Sequence, residues 1–417
     1  MRISIFTDSF LPYLSGVTFV VLNQANEMVR RGHEVTIFRP RPKLWKRSFP
    51  LPEGVDPAIA VHDVPVALPT RKRPDLRIAL PTFLYSLAKV RRFRPDVVHA
   101  HTEWGCGWEG LLAARTLRIP VVGTFHTFFA EPGYLRQFGL PNFRATRAAM
   151  WRFSTAFYNR CDTIICPSQE TKRILMTHKM RREPFVVSNG IQQPVIKSDA
   201  EIRTLRSEYG VTGSPVFIYV GRVSMEKSME VALQAFRLVL DKAPQAQLVI
   251  VGAGPSDKAV ASETKRLGME KAVLCTGMID HETLIRDNIF LLGDVFVTAS
   301  KTENQPLSLM EGMSFNLPLV AADAKGNPEL VEHGRNGYVF EPDNPEQMAQ
   351  FMQTFVDNHP EQAGRMGAES GKIIQEHLVP NVVAKLEDLY WRTIENYVPK
   401  KRRWRLRRRG RKEKNHE

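Results

Sequence analysis

The chain reads as an α/β protein built from two Rossmann-like halves. Residues 2–6 (RISIF) and 34–38 (EVTIF) are short β-type apolar runs. They bracket an amphipathic helix expected over 18–31, which makes a βαβ unit of nucleotide-binding type. Apolar runs that end in polar residues then recur at 96–101 (DVVHAH), 121–127 (VVGTFHT) and 161–168 (CDTIICPS). The pattern starts afresh at 216–220 (VFIYV), beyond a Pro- and Lys-containing connection at roughly 191–214 that marks the domain boundary.

Composition bounds the class. The 417 residues are 43% hydrophobic and 24% charged, which are globular values for a chain of two or three domains. No apolar run approaches the roughly 18 residues that span a bilayer. The start, MRISIFTDSF, lacks a signal-peptide layout. Cys106, Cys161, Cys166 and Cys275 form no C-x-x-C and are expected to be reduced thiols of a cytoplasmic protein. The net charge of +14 is uneven: residues 399–417 hold 11 Lys/Arg and 2 Asp/Glu, leaving +5 for the other 398.

In chain order, the turn after the first strand, TDSFLPYLSGV, contains Gly16 at a helix entrance, where a backbone can approach a ligand closely. It carries no G-x-G-x-x-G, so the dinucleotide fingerprint is absent. Residues 39–80 lack clear period, and 71–77 (RKRPDLR) is a basic cluster on an expected loop. Ligands collect at the carboxyl ends of parallel strands, so residues 101–105 and His126 are placed at a cleft. Residues 128–158 mix Phe128, Phe129, Tyr134, Leu140 and Phe143 with Arg136, Arg144 and Arg147. Two readings stand: a core helix with a basic outer side, or a helical lid at a membrane interface that admits a lipid.

In the second half, Gly221 turns the chain, and Arg222 and Lys227 make the best phosphate-binding pair. A leaving diphosphate needs its charge neutralised, and two cations do that. Residues 295–297 form a short strand that feeds the stretch 300–318, SKTENQPLSLMEGMSFNLP. Pro306 suits a helix start, Leu307, Met310 and Met313 recur at helical spacing, and Asn316 with Pro318 stops the helix. Glu303 lies in the turn and Glu311 eight residues on, roughly 12 Å of helix rise at most. That exceeds the reach of two carboxylates flanking one glycosidic bond. It suits a longer ligand gripped across a helix N-terminus, which favours phosphate.

The pattern T-E-N-Q-P-x-S-x-M-E-G-M-x-x-x-x-P-L-V resembles the E-x7-E signature of retaining glycosyltransferases of the GT-B fold, family 4. The T-E-x-Q form is similar to the branch containing bacterial glycolipid (diacylglycerol) glucosyltransferases. P-Y-L-S-G-V, D-V-V-H-A-H-T, C-D-T-I-I-C-P-S, G-R-x-x-x-x-K and V-G-A-G-P match further family motifs, with Ser15 and Ser228 standing where the family has glycine. The resemblance covers roughly residues 1–390.

It implies two Rossmann-like domains facing a cleft: an acceptor domain (1–192), a nucleotide-sugar domain (193–376), and a bridging helix (377–398) that returns to the first domain. A disordered basic tail (399–417) follows. The implied catalytic residues are His126, Glu303, Arg222 and Lys227. Donor binding falls to Gly16, Gly221, Arg222, Lys227, Glu303, Asn304, Gln305, Leu307, Ser308 and Glu311. Acceptor or membrane contact falls to Phe128, Phe129, Tyr134, Arg136 and Trp404.

The expected partners are a nucleotide-sugar, UDP-glucose in first place and GDP-mannose as its rival, a lipid acceptor, and an anionic membrane surface held by the tail. Nucleic acid is the disfavoured partner for that tail. The protein would sit at the inner face of the membrane as a peripheral protein. No D-x-D occurs, so neither cofactor nor metal is expected.

Overall fold

A computed structural model of the chain describes residues 1–43, 50–69, 77–80, 82 and 84–399. It divides into two compact units: residues 1–166, 172–187 and from 383 on, and residues 167–171 with 188–382.

In the first unit, β1 (Arg2–Phe6), β2 (Glu34–Pro40), β3 (Ala60–Val64), β6 (Val97–Ala100), β7 (Val121–Thr124), β8 (Thr163–Cys166) and β9 (Phe185–Val186) form one parallel sheet in the order β3-β2-β1-β6-β7-β8-β9. β3 and a small hairpin, β4 (Ala67–Pro69) with β5 (Arg77–Ala79), arise from the segment without sequence period. Strands of three to five residues with His62 and Asp63 inside are too short and too polar to leave one.

Helices α1 (Gly16–Arg30), α2 (Leu84–Phe93), α3 (Gly105–Leu117), α4 (Pro132–Gln137), α5 (Arg144–Tyr158) and α6 (Gln169–Met176) connect the strands. α1 begins two residues before the expected start because Ser15 caps it, its side chain accepting the Thr18 N–H. The order reverses between β1 and β6, so the loops after them diverge at the sheet's carboxyl edge.

The second unit repeats the design. Its sheet runs β12 (Val273–Gly277), β11 (Gln247–Val251), β10 (Val216–Val220), β13 (Val295–Thr298), β14 (Leu319–Ala322), β15 (Gly337–Phe340), all parallel. Alternate residues feed two cores. Phe217 and Tyr219 join one cluster; Val216, Ile218 and Val220 join the other. A strand covered on both faces must be apolar throughout, which is why VFIYV shows no alternation.

Helices α7 (Asp199–Glu208), α8 (Met229–Leu240), α9 (Asp257–Arg266), α10 (His281–Arg286), α11 (Leu307–Ser314), α12 (Pro345–Asp357) and α13 (Glu361–Ile373) surround the sheet. The last helix, α14 (Val379–Glu395), counts with the first unit from Val383 onward. There Tyr390 Oη lies 2.5 Å from His99 Nδ1, and Glu387 meets Arg31 and His33. Among the described residues no helix is long and apolar enough to cross a membrane.

Candidate active site

In the second unit the switch point lies between β10 and β13, so the loops following those strands converge. The β10 loop needs glycine. A Cβ on Gly252, at the end of β11, would lie 1.9 Å from the Gly221 carbonyl oxygen. Tyr219 Oη donates to the Arg222 carbonyl at 2.9 Å and fixes the turn. A short 3₁₀ turn, Met225–Lys227, then presents Lys227. Ser228, where the family has glycine, adopts φ +48°. The conformation that glycine takes freely is thus required here and costs serine about 1 kcal/mol.

The β13 loop carries Glu303. Its Oε1 is paired with Lys227 Nζ and accepts the Ser300 hydroxyl at 3.0 Å. Burial would raise its carboxyl, but the Lys227 charge and these hydrogen bonds, with Lys325 nearby, hold it below the ordinary carboxylate range. The loop's shape depends on Gly326. Its N–H donates to the Glu303 carbonyl at 2.9 Å, and a Cβ there would meet the Asn304 carbonyl oxygen at 2.2 Å. Arg222, five residues before Lys227, is exposed and forms no ion pair among the described residues.

Pro306 stands at the N-cap of α11, and no side chain caps that end. The first amides of a helix have no intrahelical acceptor, so Leu307 and Ser308 offer N–H groups to an anion. Glu311, on the second turn, is buried, and its Oε1 lies 2.7 Å from His281 Nε2. Burial opposes charge on that imidazole, but the hydrogen bond and charge of Glu311 prevail and raise its pKa. Asn304 is half-buried in the turn. Gln305, expected to bind donor, instead uses its Oε1 to accept the Ser188 hydroxyl and the Asn189 N–H at 3.2 and 2.7 Å, clamping its own unit together.

In the first unit, His126 follows β7 and is half-buried, its Nε2 3.0 Å from His101 Nδ1. His101 follows β6, where its ring packs on His99 with centroids 3.9 Å apart. Burial, then neighbouring histidine charge, pushes His99 down to about 3 and His101 well below its ordinary range, so both rings are neutral. Asp8, after β1, accepts from the Ala79 and Cys106 amides and the Thr102 hydroxyl, and burial raises it to about 6. Glu103 accepts from Ser154 and Tyr158 hydroxyls on α5, and burial raises it to about 7. Gly16 is the exposed first residue of α1, and Ser15 beside it caps that helix.

Among the acceptor residues read from the aromatic segment, Phe128 needs correction. Phe128 is 3% exposed and packs with Phe125 and Trp151 in the core. Phe129 and Tyr134 stack edge to face, and Phe129 lies on Trp104. The exposed large apolar residues described in this segment are Leu140 and Phe143, at 37% and 67%, and Arg136, Arg144 and Arg147, near them in sequence, are exposed too. Alternation of aromatic and basic residues gave no indication of which rings turn inward. Trp404 lies outside the described residues, as does most of the basic cluster at 71–77. Sequence reasoning placed His101 and Glu103 at the cleft without giving them a role, and it missed Asp8, His281 and Ser300; Asp8 and Ser300 carried a signal, their place just past the carboxyl ends of β1 and β13.

Residues 14–193 match the family described as Glycosyltransferase Family 4, and residues 201–372 match Glycosyl transferases group 1. An alpha-monoglucosyldiacylglycerol synthase of Streptococcus pneumoniae is 29% identical over 338 residues, 79% of this chain and 72% of that protein. A GDP-mannose-dependent alpha-mannosyltransferase of Mycolicibacterium smegmatis is 31% identical over 345 residues, 82% of this chain and 85% of that protein. The crystal structure of Anabaena HepE in complex with UDP superposes with a TM-score of 0.74 at 20% identity, covering 93% of this chain and 99% of that one. With the site geometry and these similarities together, the chain is a member of glycosyltransferase family 4, an enzyme of the GT-B fold.

Proposed function

We propose that the enzyme transfers a hexose, glucose, from a nucleoside diphosphate sugar to a membrane lipid acceptor such as diacylglycerol, with retention at the anomeric carbon. The observation that carries the donor half is the convergence of Arg222, Lys227, Glu303 and the uncapped α11 N-terminus on one switch point. In this reading Arg222, Lys227 and the Leu307 and Ser308 amides take the diphosphate, Glu303 holds hydroxyls of the sugar, and Glu311 holds the ribose. As the bond between the anomeric carbon and the phosphate oxygen breaks, the cations stabilise the leaving diphosphate. The acceptor oxygen bonds to the same face of the carbon, and its proton passes to the leaving phosphate. The family resemblance assigns His126 a catalytic role. No resident metal is invoked.

The lipid half is supported by the names of the relatives that are diacylglycerol glucosyl-transferring enzymes. The exposed Leu140 and Phe143 among arginines support it further, since apolar tips ringed by cations suit a membrane interface. The mannosyltransferase relatives favour a second reading, GDP-mannose as donor to a lipid such as phosphatidylinositol or to a soluble or polysaccharide acceptor. The protein would work as a peripheral membrane protein on the cytoplasmic face.

A panel of UDP- and GDP-sugars, each with and without liposomes containing diacylglycerol, tests this. Transfer from UDP-glucose only with liposomes is the expected result. Transfer from GDP-mannose, or transfer indifferent to lipid, would replace it with the second reading.

A further inference from the structure

Away from both switch points, the first unit contains a cavity of about 640 Å³ lined by Arg115, Arg152, Arg160, Lys179, Arg181 and Arg182, with Asp162 the one carboxylate among its lining residues. The lining therefore carries +5, equal to the net charge of the whole chain outside residues 399–417. The other residues of 1–398 sum to zero.

Structural duties account for part of the cluster. Arg115 pairs with Asp162 at 3.1 Å. Arg182 donates to the Cys161 carbonyl, and Arg160 donates to the Ala156 carbonyl and lies over the Trp108 ring. Arg160 also sits just past the end of α5, where a helix's negative end favours cations.

Arg152, Lys179 and Arg181 have no such explanation. They are exposed and pair with no carboxylate among the described residues. Arg152 is on α5, and Asn159 just after that helix pins the loop of the other two: its amide donates to the Lys179 carbonyl at 3.2 Å and its oxygen accepts the Arg181 N–H at 2.7 Å. Lys179 is held at φ +58°, a conformation that costs a residue with a side chain about 1 kcal/mol. Gathering like charges in a pinned loop is unfavourable until a counter-ion arrives. Val398 completes the lining.

We infer that this cavity is a second anion site, distinct from the donor site, that binds a phosphate group. Arginine forks match phosphate oxygens in pairs. The phosphate could be carried by a lipid headgroup or by a free phosphate compound, and both present the same oxygens. The inference stands whichever acceptor the enzyme uses.

The test compares the full chain with its Arg152→Gln/Arg181→Gln variant in two arms. One titrates inorganic pyrophosphate calorimetrically. The other measures sedimentation with phosphatidylcholine vesicles with and without phosphatidylglycerol. The donor site is intact in both proteins, so its pyrophosphate binding cancels, and donor hydrolysis should be equal. For a headgroup, the variant partitions to phosphatidylglycerol vesicles about 30-fold more weakly, since each basic residue at an anionic surface contributes about fivefold. For a free phosphate compound, the variant loses one pyrophosphate site and sediments as before. Equal stoichiometry and equal partitioning in the two proteins would overturn the inference, whatever the acceptor assay gives.

Discussion

His101 Nδ1 and His126 Nε2 stand 3.0 Å apart, with their rings stacked at an interplanar angle of 13°. One proton serves that contact. Burial keeps His101 neutral at any working pH, so its bond fixes the orientation of His126 without adding charge. His101→Phe should leave the donor KM close to wild type and lower kcat about tenfold, because it removes only the contact that orients His126. His126→Ala should lower kcat about 100-fold. Steady-state kinetics on both variants checks the order.

Glu303 and Lys227 neutralise each other, so each removal exposes the other. Glu303→Ala should cost at least about 100-fold in kcat/KM and weaken donor binding. Glu303 has a folded pKa below its ordinary 4.5. Its contribution to stability is therefore present above pH 4.5 and lost as pH falls through the lower folded value. Thermal melts of wild type and Glu303→Gln between pH 3 and 6 should differ most above pH 4.5 and converge as pH falls below it.

The buried carboxyls of the first unit act in the opposite sense. Asp8 rises from 3.8 to about 6, and Glu103 from 4.5 to about 7. The native state then holds protons that the unfolded chain has released. The stability contributed by these two groups is full below about pH 4 and is lost as pH rises to about 7, by roughly 3 kcal/mol for each. Glu103→Gln should flatten its share of this slope and stabilise the protein at pH 8, as melting temperature across pH 4–8 will report.

The exposed pair Leu140 and Phe143 should carry interfacial contact. Leu140→Ser/Phe143→Ser should reduce partitioning to diacylglycerol-containing vesicles about tenfold or more, given roughly 1.5–3 kcal/mol for full burial of such a side chain. Donor hydrolysis in solution should not change. Phe128→Ser should instead destabilise the fold by about 3 kcal/mol, because Phe128 is a core residue.

In the proposed donor site, two cations and a helix N-terminus would supply the charge that a metal gives elsewhere. Turnover should therefore be equal in EDTA and in Mg²⁺. Restoration of lost activity by Mg²⁺ would show a metal-dependent enzyme.

The sequence by itself determined the two α/β halves, because strands covered on both faces must be continuous apolar runs, as in VFIYV and VVGTF. It also determined the turn chemistry at Gly221 and the helix at Pro306, since those depend on neighbours a few residues away. Tertiary structure decided which side chains meet. Lys227 reaches Glu303 across 76 residues, His281 reaches Glu311 across 30, and Gln305 turns to Ser188 across 117. Strand order makes the first of these meetings, by bringing the loops after β10 and β13 to one edge. Tertiary packing also separated the aromatics, burying Phe128 while leaving Phe143 in solvent. Local spacing is blind to both, because a side chain's partner and its burial are set by chain segments far away in sequence.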